Sequence, residues 1–246
     1  DYTRRVHTNS RDEVGELAAA FNLMASDLAA ADRQRRELIA NVSHELRTPI
    51  TALRGVLENI VDGVAAPEPA TMRTALAQTE RLCRLVAELL DLSRLDAGIV
   101  PMKRTEIALD DFLVNVVAEA QVNHPAVPIQ LHADRGLALD GDPERLHQLF
   151  ANLLDNAARH SPPGGAIRLS AQPAGDDLLF SVADQGSGIP VAERARVFER
   201  FTRGERATGG GTGLGLAIAR WVVQLHHGSI AVVDPGPGDT MTGAHL

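Results

Sequence analysis

From Asp32 to about Gly63 an apolar residue recurs at every third or fourth position, at Leu38, Val42, Leu46, Pro49, Leu53, Val56 and Ile60. That spacing marks one buried seam on an amphipathic helix and commits this part of the chain to helix-on-helix packing. In its middle lies Asn41-Val42-Ser43-His44-Glu45-Leu46-Arg47-Thr48-Pro49-Ile50. At about 100° per residue His44 sits about 200° from both Val42 and Leu46, so it points away from the seam into solvent. Asn41, Arg47 and Thr48 share its face. Solvated surface is the plain reading of such a face, but a His beside Glu with a proline one turn on asks for more than core packing gives. Pro49 lacks the N–H that would bond the Glu45 carbonyl, so it is expected to bend or loosen the helix and act as a hinge.

The segment before this helix, residues 1 to about 30, reads as helix after an irregular polar start, with Phe21, Met24 and Leu28 at helical spacing and no partner within the segment. After it, Val64-Ala65-Ala66-Pro67-Glu68-Pro69 breaks the pattern, because two prolines two apart disfavour helix before and between them. A second helix is predicted from about Thr71 to Asp96, with Leu82, Leu85, Leu89, Leu92 and Leu95 as its seam and Ala97-Gly98 as its stop. Two long helices and a short turn make an antiparallel hairpin. A hairpin covers only one strip of each seam, so dimerisation into a four-helix bundle is expected. Cys83, the one cysteine, falls in line with Leu76 and Leu90 and reads as an inert packed thiol.

Beyond Gly98 shorter alternating segments with more Gly and Pro place a domain boundary near residue 100. Helices are predicted at 110–122, 142–160 and 213–227, and strands near 102–106, 128–133, 137–140, 166–172, 178–184 and 229–233. The mixture predicts an α+β sandwich with helices on one face of a sheet. The 246 residues carry a net charge of -8, which argues against nucleic acid as a partner and leaves a protein or a nucleotide. No run approaches the ~18 apolar residues of a membrane span, so the chain as given reads as soluble.

Three stretches in this second half carry chemistry. On the 142–160 helix Asn152 and Asn156 are four apart and share a face with Arg159 beside them; an amide oxygen suits Mg²⁺ that already holds phosphate oxygens, although a pair of exposed asparagines is usually only solvated. In Val182-Ala183-Asp184-Gln185-Gly186-Ser187-Gly188-Ile189-Pro190 an apolar strand ends in an acid and two glycines. A buried carboxylate is acceptor-only and matches an exocyclic amino group such as that of adenine; the alternative is a turn with Asp184 as its Asx residue. Finally Gly209-Gly210-Gly211-Thr212-Gly213-Leu214-Gly215-Leu216 runs into a helix, where backbone amides bind anions, and it follows Phe198-Glu199-Arg200-Phe201 and an Arg-, Gly- and Thr-rich loop. A flexible linker would account for the first three glycines but poorly for the alternation of Gly211, Gly213 and Gly215. The spacing is neither a Walker loop nor a Rossmann fingerprint.

In this order and spacing the five pieces resemble the H, N, G1, F and G2 boxes of the sensor histidine kinases of bacterial two-component systems, over about residues 12–246. Asp12-Glu13-Val14-Gly15-Glu16-Leu17 is similar to the start of the second helix of a HAMP signal-relay module. The resemblance implies a HAMP-like end at 1–31, a dimerisation and phosphoacceptor hairpin at 32–98, and at 103–246 an α/β-sandwich ATP-binding domain of the Bergerat type, shared with gyrase, the Hsp90 chaperones and MutL. It implies that His44 is phosphorylated from ATP, that Glu45 takes its second ring proton, and that Thr48 places a water when the enzyme runs as a phosphatase. In the nucleotide site it implies Mg²⁺ on Asn156 with Asn152 nearby, and phosphate on Arg159 and Arg203. His160 would stand where the family often has an aromatic beside the nucleotide. Asp184 would accept from the adenine amino group, with Gly186 and Gly188 lining the pocket. Gly211, Thr212, Gly213, Leu214 and Gly215 would close the lid. The implied partners are a second copy of the chain and the receiver domain of a response regulator. A HAMP-like start further implies the cytoplasmic part of an inner-membrane receptor whose span lies in a missing N-terminal segment.

Residue chemistry agrees with these roles. A neutral imidazole offers a ring nitrogen as nucleophile, the chemistry asked of His44. Phosphoryl transfer asks mainly for in-line placement and charge neutralisation. A nucleotide-gated scaffold without kinase activity is disfavoured by the intact Glu45, Asn156 and glycine lid. An ATP hydrolase would want a water-activating glutamate where Asn152 stands. Two departures from the family stand out. His226-His227-Gly228 puts His227 where glycine and a positive φ are usual, and Gly238 to Leu246 lacks the usual closing Phe and is expected to be truncated or a weak last strand. His124, His132 and His147 show no metal-ligand spacing and read as ordinary polar residues.

Overall fold

The long apolar seam folds as expected: helix α1 (Glu13–Val61) runs for 49 residues. It absorbs both the segment before Asp32 and the His44 stretch into one element. A computed structural model describes residues 6, 13–97, 102–202, 212–234, 241 and 243–246. The chain divides into two compact units, Asp1–Leu85 and Val86–Leu246. In the first, Leu38, Val42, Leu46, Leu53, Val56 and Ile60 are all half-buried, and Pro49 is under 2 % exposed. Pro49 does not end the helix, because the burial of its ring on the seam offsets the single hydrogen bond it removes. Helix α2 (Pro69–Ala97) starts with proline in the first turn, where its missing N–H costs nothing. Arg81 of α2 lies 3.9 Å from Glu45 of α1, which aligns the two helices as an antiparallel pair.

Cys83 departs from expectation. It is exposed, and its neighbours at seven-residue spacing, Leu76 and Leu90, are 57 % and 56 % exposed. Within one chain the seam of α2 covers Leu85 but leaves this second stripe open. Periodicity identified an apolar line without deciding which of two lines faces α1.

The second unit builds an α+β layer on one core. Strand β1 (Thr105–Ala108) pairs antiparallel with β3 (Ala138–Gly141), and helix α3 (Leu109–Asn123) lies between them in sequence. Strand β2 (Ile129–Ala133) runs parallel to β4 (Ile167–Ala174), which pairs antiparallel with β5 (Asp177–Ala183) in the order β2-β4-β5. Helices α4 (Pro143–His160) and α5 (Gly215–Leu225) complete the layer. On β4, Ile167, Leu169 and Ala171 alternate inward at 0 %, 0 % and 1 % exposure, the period-two pattern of a strand with one face on the core. Phe150 of α4 centres that core, edge-on to Phe112 of α3 and to Phe180 of β5 with ring centroids 6.1 and 5.2 Å away.

Several element boundaries shift, most clearly at the first strand and the last helix. The first strand lies at 105–108 rather than 102–106, and the last helix is shorter than 213–227. The strand expected at 229–233 does not form: only Val233 makes a bridge, antiparallel to His245, and His245 also bridges Ala183 of β5. The chain's last residues therefore run alongside β5, with Val182 and Leu246 exchanging bonds of 2.8 and 3.0 Å. Among the described residues no helix is long and apolar enough to cross a membrane.

One polar junction fixes where α4 begins. Asp142 caps it, its Oδ1 accepting from the N–H groups of Glu144 and Arg145 at 3.1 and 3.2 Å while its Oδ2 accepts from that of Lys103 at 2.9 Å. The Asp142 N–H donates to His226 Nε2 at 3.0 Å, and His226 Nδ1–H donates to the Val222 carbonyl at 2.8 Å. One imidazole thus ties the end of α5 to the start of α4. Burial disfavours the ionised form of Asp142. The backbone bonds from Lys103, Arg145 and Glu144 and the Arg145 charge outweigh it and hold the carboxyl below its ordinary 3.8. A depressed folded-state pKa stabilises above the unfolded value and loses that contribution as pH falls through the folded one. Asp142→Ala is therefore expected to cost about 1–2 kcal/mol at pH 7, with the difference from wild type shrinking below pH 3.8. Urea titration followed by the fluorescence of Trp221, the one tryptophan, reads the second unit and checks both.

Candidate functional site

The polar face of α4 is the complement of its buried one. Leu146, Leu149, Phe150, Leu153, Leu154, Ala157 and Ala158 face the core, which leaves Asn152, Asp155, Asn156 and Arg159 in a stripe at spacings of three and four. That stripe meets the glycine turn before α5. Asn152, Asp155, Asn156, Arg159, Thr212, Gly213 and Gly215 line one cavity of about 90 Å³, joined by Glu88 from the end of α2. The sequence had singled out all of these except Asp155 and Glu88.

Backbone geometry draws this corner tight. Phe201 sits at φ 58, a strained value for an aromatic residue, and its N–H donates to the Gly213 carbonyl at 2.8 Å. Gly213 is itself at φ 70, and a Cβ there would lie 2.8 Å from the Phe201 Cα, so glycine is required on both counts. Thr212 Oγ1 accepts from the Leu214 N–H at 3.2 Å. Leu214 itself is fully buried, so toward a ligand it offers only backbone.

Two features of the lining bear on what it can hold. Asn152 Nδ2 is buried and has no hydrogen-bond partner among the described residues, a costly state that an acceptor such as a phosphate oxygen would relieve. Arg159 Nη2 lies 2.6 Å from Asp155 Oδ2, and His124 Nε2 lies 3.1 Å from Asp155 Oδ1. Arg159 is therefore steered by a carboxylate that is itself held from α3's end. His124 is thus more than the ordinary polar residue it looked, a link across 31 residues of sequence that no local pattern signals. A volume of about 90 Å³ falls well short of the roughly 300 Å³ of a whole small-ligand site and suits the phosphate end of one.

Asp184, Gly186 and Gly188 do not line this cavity. Asp184 ends β5, is 2 % exposed, and its Oδ1 accepts from the N–H groups of Gly186 at 2.7 Å and Ala244 at 3.0 Å. The Asx turn is thus real, and it occupies one carboxylate oxygen; Oδ2 has no hydrogen bond among the described residues. Gly186 is required by close approach, since a Cβ would lie 2.4 Å from the His160 carbonyl oxygen, whereas Gly188 is at φ 67. His160 is exposed at the end of α4. Gly243 and Ala244 cover Asp184 from the chain's last residues, a role invisible in sequence. His227 does take a positive φ, at 61. Arg203 and Gly211 lie outside the described residues.

In the first unit His44 is exposed beside half-buried Glu45, and Thr48 Oγ1 donates back to the His44 carbonyl at 3.3 Å. No group of three or more His, Cys, Asp or Glu converges on a metal position among the described residues.

A Cβ on Gly243 would fall 1.8 Å from Asp184 Oδ1 and 2.4 Å from the Gly186 N atom. Gly243→Ala is expected to force the closing segment off β5 and to cost about 1–3 kcal/mol. Gly164→Ala, at a positive φ but with nothing within 4 Å, costs about 1 kcal/mol. Urea melts of the two variants compare them.

The sequence matches three families in order: the HAMP domain over residues 1–30, the His Kinase A phospho-acceptor domain over 34–98, and the histidine kinase-, DNA gyrase B-, and HSP90-like ATPase over 141–246. It is 36 % identical to the signal transduction histidine-protein kinase BaeS of Escherichia coli over 98 % of this chain and 53 % of that protein. It is 38 % identical to the signal transduction histidine-protein kinase/phosphatase MprB of Mycobacterium bovis over 100 % of this chain and 50 % of that one. The chain thus spans about half the length of these curated relatives. The solved Acinetobacter baumannii histidine kinase AdeS superposes with a TM-score of 0.66 at 25 % identity, covering 82 % of this chain and 94 % of that one. An exposed histidine on a helical hairpin, a two-faced α4 and a glycine turn at α5, in that order and with those relatives, make this chain a member of the sensor histidine kinase family of two-component systems, carrying an ATP-binding domain of the histidine kinase, gyrase and Hsp90 type.

Proposed function

We propose that the chain is an ATP-dependent kinase that phosphorylates its own His44 and passes the phosphoryl group to an aspartate on the receiver domain of a response regulator. The observation that carries this reading is the cavity of α4 and α5, where a buried Asn152 amide without a partner among the described residues stands beside Asn156, Arg159 and Thr212. A His44 ring nitrogen uses its lone pair to form the N–P bond to the γ-phosphorus, the bond to the bridging oxygen breaks, and ADP leaves. The ring is left cationic, and Glu45 offsets that charge and takes the proton from the other nitrogen.

In the nucleotide site Asp184 Oδ2 accepts from the adenine amino group while Oδ1 stays tied to the turn. Gly186 and Gly188 let backbone approach the ring, with His160 at the rim. Asn156 holds Mg²⁺ together with phosphate oxygens, and when bound the ion neutralises charge on the transferring phosphoryl group. Asn152 Nδ2 donates to phosphate, and Arg159 reaches phosphate from its Asp155 rest. Gly211, Thr212, Gly213, Leu214 and Gly215, with Arg203, form the lid. The domains run 1–31, 32–98 and 103–246. Thr48 orients a water for the reverse, phosphatase duty, the activity also named for MprB.

The open stripe of Leu76, Cys83 and Leu90, continued on α1 by Ile50, Leu57 and Val61 at 49 %, 47 % and 84 % exposure, supports a homodimer with a four-helix core. The HAMP match supports a longer protein anchored in the inner membrane, of which this is the cytoplasmic part.

With Mg²⁺ and γ-labelled ATP, wild type is expected to take up an acid-labile, base-stable label that His44→Gln loses completely. Label retained by His44→Gln would overturn the assignment. Leu76→Glu is expected to shift the chain toward monomer in sedimentation equilibrium, while Leu179→Glu, exposed on β5, leaves the association unchanged.

A further inference from the structure

The end of α2 within the second unit carries two acids three residues apart, on one face of the helix, of which Glu88 reaches the cavity. Glu88 Oε2 accepts a hydrogen bond of 2.7 Å from Thr212 Oγ1, and its side chain lines the cavity with Asn152, Asn156 and Arg159. Asp91 lies outside the cavity and is 7 % exposed. Its Oδ1 accepts from Arg145 Nη1 at 2.8 Å and its Oδ2 from Gln148 Nε2 at 2.5 Å. The Arg145 guanidinium in turn lies 5.3 Å from the ring centre of Trp221 on α5. A buried, two-toothed carboxylate is costly to leave half-paired, so this second contact is an anchor.

A carboxylate and a phosphate present the same chemistry to this corner: both are anionic and acceptor-only, and both suit a hydroxyl donor at the start of a helix. Thr212 has one O–H, and Glu88 holds it. The space of about 90 Å³ is bounded by Glu88 as one of its walls, so a phosphate entering it would lie against the Glu88 carboxylate and the two like charges would repel.

Resting on the reading that this cavity takes the phosphates of ATP, we infer that Glu88 is an internal competitor of the nucleotide: its carboxylate lines the cavity and takes the Thr212 hydroxyl that a phosphate would use, the Asp91–Arg145 pair holds it there, and ATP binds fully only when this end of α2 lets go. The apparent dissociation constant for ATP then exceeds the intrinsic one by the reciprocal of the undocked fraction, so a docked form favoured ten to one weakens binding about tenfold. By linkage, bound ATP favours release of the helix end by the same factor. Position of α2 and occupancy of the nucleotide site become one equilibrium.

The test is MgATP binding to the full 246-residue chain by calorimetry, for wild type, Glu88→Gln, Glu88→Ala, Asp91→Asn and Asp184→Asn. Glu88→Ala is expected to bind about tenfold more tightly than wild type, Glu88→Gln to fall between them because it keeps an acceptor for Thr212, and Asp91→Asn to shift the same way without touching the cavity. Melting followed by Trp221 fluorescence checks that Asp91→Asn is folded; the half-buried Glu88 carries no such risk. Unchanged or weaker binding in Glu88→Ala, with wild type binding and Asp184→Asn not, overturns the competitor and leaves the nucleotide site standing. Absence of binding in wild type and every Glu88 and Asp91 variant overturns the nucleotide site and this inference with it.

Discussion

The two-sided character of α4 is the constraint on which the second unit turns. Its apolar side, centred on Phe150 between Phe112 and Phe180, can be satisfied only by facing the sheet and α3. Once it does so, Asn152, Asp155, Asn156 and Arg159 have one direction left, toward the glycine turn ahead of α5. The Asp142 cap and the His226 latch set the start of α4 against the end of α5. Core packing therefore builds the wall of the polar cavity as a by-product.

Around that wall the molecule tolerates local costs that a purely structural domain would shed. Phe201 and His227 hold left-handed backbone without being glycine, and among the described residues Asn152 keeps a buried donor unpaired. The Phe201 strain and the Asn152 donor sit at one cavity, as expected where a ligand supplies the missing partner. Asp184 differs: the fold already uses one of its oxygens to hold the Gly186 turn and the chain's last residues, so the side chain is a structural staple whose other oxygen is left for the proposed adenine contact.

Glu88 gives this arrangement a regulatory direction. An acid on an amphipathic helix normally costs nothing in water; its presence on the wall of a small polar cavity, beside a buried ion pair three residues on, would tie the proposed nucleotide site to the helix that precedes it. Signals that move α2 would then reach ATP without a separate relay.

Much of this was legible in the residues because it is periodic or local. The seam from Leu38 to Ile60, the polar exposure of His44, the stripe of Asn152 and Asn156 and the glycine alternation before α5 follow from helical spacing and backbone freedom, and the structure keeps each. What escaped depends on partners distant in sequence. Cys83 read as packed because spacing finds an apolar line but not the surface that covers it. The strand at 229–233 failed because extended residues need a neighbour to pair with, and His245 supplies only one bridge. His124 on Asp155, Gly243 over Asp184 and Glu88 in the cavity are each joined by polar contacts across tens of residues of sequence. By itself, then, the sequence determined the helices, all but the last of the strands, the chemical groups and the family, since local periodicity and motif order encode them. Which groups share a cavity, which carboxylate oxygen stays open and which acid lines that cavity was decided only by tertiary packing, because those contacts arise where separately encoded elements are forced together by a common core.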